Sequence, residues 1–73
     1  MVYSIDMGFG KKLKELRIER RLTQEELAEA LGCSQAMIAR WEANEHQPKE
    51  EHIVKAAKFF GVSTDYILGL SDY

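Results

Sequence analysis

The sequence predicts an all-α fold, a compact bundle of five short helices forming one domain. Three observations predict it. Apolar residues recur at spacings of three and four along most of the chain, the period of a helix with one buried face. No stretch alternates apolar and polar residues as a half-buried strand does. Threonine, serine, glycine, asparagine and proline punctuate the chain at short intervals, leaving pieces of helical length between them. With 73 residues there is room for a single domain, residues 1–73. Its core spans about residues 8–69, and residues 1–6 form an N-terminal extension.

The first helix runs roughly from Met7 to Arg20, with Phe9, Leu13 and Leu16 facing the core. The second is announced by Thr23-Gln24-Glu25-Glu26, in which the Thr23 hydroxyl takes the Glu26 amide while Glu26 reaches back. Leu27, Ala28 and Leu31 form its apolar face, and Gly32 ends it in the left-handed conformation. Ser34 caps the third helix, whose inner side is Met37, Ile38 and Trp41, and Asn44 supplies a second left-handed stop. Pro48 suits the first turn of a fourth helix carrying Ile53, Ala56, Ala57 and Phe60. Gly61 stops it, Ser63 caps a short fifth helix with Tyr66, Ile67 and Leu68, and Gly69 ends that.

Composition narrows the function classes. Hydrophobic residues make up 45% and charged residues 30%, as in globular domains. No apolar run reaches membrane-spanning length, and the N-terminus lacks the blocks of a signal peptide. The single cysteine, Cys33, forms no internal disulfide; it reads as a small buried residue in a cytoplasmic protein. His46 and His52 lie near Glu45, Glu50 and Glu51, but their spacing matches no metal site, so neither metal nor cofactor is expected. No nucleophile sits beside a base and no glycine loop suits a phosphate, so the chain reads as no enzyme, with no small-molecule substrate and no membrane partner. The formal net charge is −2, yet Lys11, Lys12, Lys14, Arg17, Arg20 and Arg21 crowd into one segment opposed there only by Glu15 and Glu19. A local basic face of this kind tracks phosphates even on an acidic chain.

The second and third helices carry the functional signal. Only Gly32 and Cys33 separate Leu31 from the cap Ser34, so the helices cross steeply instead of lying antiparallel. Ala28 gives the small residue the crossing needs, and Leu27, Leu31, Cys33, Ile38 and Trp41 lock the angle. With Arg17, Leu22-Thr23-Gln24-Glu25-Glu26-Leu27-Ala28, Leu31-Gly32, Ile38, Trp41-Glu42, Pro48 and Phe60-Gly61-Val62-Ser63, the chain resembles the phage-repressor and Cro-like helix-turn-helix family, also called the XRE family, over roughly residues 8–69.

The resemblance implies a lambda-repressor-like bundle and a sequence-specific transcriptional regulator of double-stranded DNA, a repressor, cytoplasmic and bacterial or phage-encoded. It implies a homodimer on a near-palindromic operator, with the third helix in the major groove. Gln35, Ala36 and Arg40 then face base edges: glutamine matches adenine, arginine matches guanine, and a methyl group meets thymine. Gln24 matches the family's phosphate anchor, with Ser34, Lys49, Lys11 and Lys12 as further phosphate contacts and Lys14 a weaker one. Arg17 and Glu42 match a buried ion pair that is structural. Tyr66, Ile67 and Leu70 are the expected dimer contacts. The same reading takes the chain either as a complete regulator or as the DNA-binding half of a larger repressor. An alternative use of the fold, an antitoxin-like or anti-repressor module binding protein, finds support in the negative charge and the apolar Ala36-Met37 surface.

Overall fold

The computed structural model describes residues 5–71. Within them the chain forms α1 (Ile5–Glu19), α2 (Gln24–Leu31), α3 (Gln35–Glu42), α4 (Glu50–Phe60) and α5 (Thr64–Ile67), and no strand. The five-helix expectation holds. α1 starts two residues before Met7, where the periodic pattern placed it.

The punctuation residues act as their chemistry requires. Thr23 accepts from the Glu26 amide at 3.0 Å, and its own amide donates to Glu26 Oε1 at 2.8 Å. Ser34 Oγ accepts from the Met37 amide at 3.2 Å, and Ser63 Oγ from the Tyr66 amide at 3.0 Å. Gly32 closes α2 at φ 71°. Among the described residues, Arg21 and Asn44 are the two non-glycine residues with positive φ, at 58° and 64°. The start of α4 differs from expectation. Lys49 is extended, at φ −80° and ψ 161°, so Pro48 precedes the cap and lies outside the first turn. Lys49 has no side-chain acceptor, and the α4 N-terminus carries no side-chain cap.

The core is one cluster drawn from all five helices: Phe9, Leu13 and Leu16 from α1; Leu27, Ala28 and Leu31 from α2; Ile38 and Trp41 from α3; Ala56, Ala57 and Phe60 from α4; Ile67 from α5. Burying each large side chain contributes roughly 1.5–3 kcal/mol. Phe9 meets Trp41 edge-on, with ring centroids 5.7 Å apart. α1 approaches its neighbours so closely that two of its positions have no room for a side chain. A Cβ on Gly8 would overlap the carbonyl oxygen of Leu68, and one on Gly10 that of Trp41. These glycines weaken α1 by roughly 0.5–1 kcal/mol each as helix residues. In exchange they let α1 seat directly on the backbone of α3 and α5.

Candidate nucleic-acid interface

Three residues, Gly32, Cys33 and Ser34, join α2 to α3. The Cys33 amide donates back to the Ala28 carbonyl at 2.9 Å, which fixes the turn. Leu27, Ala28 and Leu31 of α2 then face Ile38 and Trp41 of α3 within the core. With its inner side committed, α3 leaves Gln35, Ala36 and Arg40 exposed. Arg40 forms no ion pair with a nearby glutamate among the described residues. Met37 is half-buried and packs on the core, so Ala36 is the exposed member of the apolar pair.

Behind this face lies a chain of hydrogen bonds across three helices. Arg17 Nε donates to Glu42 Oε2 at 2.7 Å and Arg17 Nη2 to Glu42 Oε1 at 3.1 Å, while Arg17 Nη1 reaches the Leu22 carbonyl at 2.8 Å. The two side chains are 14% and 5% exposed, so the bidentate pair is largely removed from water. Glu42 Oε1 also accepts from Gln24 Nε2 at 3.0 Å. Gln24 Oε1 in turn accepts from Gln35 Nε2 at 2.7 Å. Gln24 therefore lies between the ion pair and the exposed face of α3. The sequence separates these four residues widely, and only the crossing angle brings them together.

The remaining basic residues divide into two groups. Lys12 is half-buried, with Nζ 3.6 Å from Glu15 Oε1 and 4.8 Å from the centroid of the Tyr66 ring. Lys12, expected as a phosphate contact, thus already has an anionic and an aromatic neighbour. Arg20 donates from Nη2 to the Phe60 carbonyl at 2.8 Å, joining the ends of α1 and α4. Lys11, Lys14, Arg21 and Lys49 are exposed, as is Ser34, whose hydroxyl caps α3.

Ile67, expected at a dimer contact, is 0% exposed. Helical spacing alone did not separate the inner side of so short a helix from its outer side. Tyr66 is half-buried under Lys12, and Leu70 is exposed. Cys33 is half-buried and packs on the core. Burial pushes its thiol above the ordinary range, and the charge of Lys55 partly opposes this. Trp41 is 1% exposed and its ring lies 4.9 Å from that of His52. Trp41 Nε1 and His52 Nδ1 are buried without a hydrogen-bond partner among the described residues. No described group of three or more histidine, cysteine or acidic residues gathers as a metal site would require. No described helix is long and apolar enough to cross a membrane.

Comparison with known proteins places this geometry. A family model described as helix-turn-helix matches residues 13–67. The chain is 42% identical over 62 residues to the HTH-type transcriptional activator BcrR of Enterococcus faecalis, covering 85% of this chain and 30% of BcrR. It is 41% identical over 61 residues to the HTH-type transcriptional regulator MJ0272 of Methanocaldococcus jannaschii, covering 84% of this chain and 92% of that one. Among solved structures, the P22 c2 repressor in complex with a synthetic operator is similar at a TM-score of 0.80 and 27% identity, with 86% of this chain and 96% of that chain covered. The restriction-modification controller protein C.AhdI of Aeromonas hydrophila gives 0.78 and 26%, with 89% and 98% covered. The chain spans 30% to 57% of the length of several of its relatives, BcrR at the low end and YobD of Bacillus subtilis at the high end.

Proposed function

This chain belongs to the helix-turn-helix family, and from that premise we propose that it is a sequence-specific transcriptional regulator, a repressor, that places α3 in the major groove of double-stranded DNA. One observation carries the reading: the apolar side of α3 is spent on the core, while Gln35, Ala36 and Arg40 are exposed together on its outer side. Glutamine offers a donor and an acceptor to adenine, arginine offers two donors to guanine, and alanine offers a methyl contact. The N-terminus of α2, with Gln24, and the exposed Ser34, Lys49 and Lys11 supply contacts to the phosphates. Similarity to a repressor in complex with operator DNA supports duplex DNA as the partner.

The regulator works as a homodimer on a near-palindromic operator, its half-sites roughly 34–36 Å apart. Leu70, 53% exposed, and the half-buried Tyr66 remain the contacts that suit a two-fold axis. The site of action is the cytoplasm.

The reading is tested by selecting bound duplexes from a random-sequence library and repeating the measurement at two salt concentrations. The expected outcome is enrichment of a near-palindrome, with affinity falling by a log–log slope of about −0.9 for each phosphate neutralised. Flat salt dependence together with an unenriched library overturns it.

A further inference from the structure

We propose that the cavity between α3 and the start of α4 binds a small free carboxylate, held by the indole N–H of Trp41, by His52 and by the ammonium of Lys49. The cavity measures about 220 Å³ and is lined by Met37, Trp41, His46, Gln47, Lys49 and His52. Two of these residues carry the buried polar atoms that have no hydrogen-bond partner among the described residues, Trp41 Nε1 and His52 Nδ1. The two rings lie side by side, with centroids 4.9 Å apart.

The chemistry of the lining selects the ligand. An indole nitrogen only donates, so whatever meets Trp41 Nε1 must present an acceptor. An imidazole with its proton on Nδ1 donates beside it. Lys49 adds an exposed positive charge at the rim, and no acidic side chain is among the described residues of the lining. α4 is 11 residues long and starts at Lys49 without a side-chain cap, so its positive end adds to the same potential. Two adjacent donors and a cation suit the paired oxygens of a carboxylate. Met37 and the Trp41 ring offer apolar surface to a short body behind it. The volume equals the share of about seven waters in the liquid, so the ligand is small.

Both orphaned atoms are buried, so the carboxylate reaches them as a neighbouring side chain turns. Met37 and His52 are half-buried neighbours on the two helices, and the unbranched thioether of Met37 adapts readily. The consequence for DNA rests on the reading of Lys49 as a phosphate contact. A carboxylate on that ammonium takes the charge a phosphate would use and adds a negative charge beside it. Ligand and duplex then oppose one another, each lowering the affinity for the other by the same factor.

Acetate and succinate are titrated into the DNA-free protein at constant ionic strength, with chloride and inorganic phosphate in parallel. The chain has one tryptophan, so its indole N–H gives one resonance to follow by NMR. A saturable shift of that resonance is expected with a carboxylate and not with chloride. His52→Leu and Lys49→Ala, each shown folded by circular dichroism, should weaken the binding by about 10-fold or more, the ratio for one hydrogen bond to a charged group. A shift that never saturates, that chloride reproduces, or that every folded variant leaves at wild-type affinity overturns the site. A saturable response to phosphate alone overturns the carboxylate assignment. Duplex affinity is then measured with and without saturating carboxylate at the same ionic strength, and should fall with it. Duplex binding indifferent to the bound carboxylate overturns the opposition and leaves the site standing. A protein that binds no duplex at all overturns the functional reading instead, since the indole response is read without DNA.

Discussion

Several residues carry burdens that single substitutions can weigh. Glu42 is 5% exposed in its side chain and holds Arg17 and Gln24 at once. Glu42→Ala leaves the arginine charge unpaired in a largely dry setting and is expected to cost on the order of 3–5 kcal/mol, read as a fall in the midpoint of thermal or urea unfolding. Arg21 presents the opposite case. It is exposed and sits at φ 58°, so its side chain gives little while its Cβ strains the backbone. Arg21→Gly should raise stability by about 1 kcal/mol, measured by the same unfolding curve. Cys33 makes a kinetic prediction. Its raised thiol pKa lowers the thiolate fraction at neutral pH, so native protein should alkylate more slowly than urea-unfolded protein. The gap should close as pH rises through the native value. Equal rates in the two states at neutral pH would contradict it.

Helix ends show both how a sequence states its elements and where it stops doing so. The caps Thr23, Ser34 and Ser63 and the stops Gly32 and Gly61 were legible because each acts on backbone within a few residues of itself. The start of α4 was misplaced because proline suits both the first helical turn and the residue before a cap, and only the backbone angles of Lys49 decide between them. That weak cap yields a prediction at its own scale. Lys49→Asp supplies the missing acceptor and a favourable charge at the helix start, so stability should rise by about 1 kcal/mol. The same change removes a proposed phosphate contact, so affinity for duplex DNA should fall across all sequences alike. A calorimetric melt and a filter-binding titration on one protein separate the two effects. The candidate interface was legible to a similar depth. Gln35, Ala36 and Arg40 follow from helical periodicity once α3 is located, whereas Gln24's hold on Glu42 and Gln35 crosses from α2 to both ends of α3 and has no local signature. Lys12 and Arg20 were read as part of a basic face because charge is visible in a sequence and its partners, Tyr66 and Phe60, are not.

At the scale of the molecule, a thin core is closed by backbone meeting backbone. Gly8 of α1 stands against the Leu68 carbonyl and Gly10 against that of Trp41, so the first helix touches the last helix and the helix proposed to read DNA without intervening side chains. Gly8→Ala is expected to lower the unfolding midpoint measurably, despite alanine's better helix propensity of about 1 kcal/mol, because the added methyl has to push α1 away from α5. A midpoint at or above that of the wild type would show that this seam yields easily. The seam also constrains how the chain can be repaired. Overpacking between side chains is relieved by trimming the partner, and a screen for revertants then recovers changes at the residue that was struck. A methyl at position 8 strikes a carbonyl oxygen, which every amino acid carries. No substitution at residue 68 removes it, so genetic suppressors of a Gly8 lesion should map away from the contact itself, to changes that add stability elsewhere in the bundle.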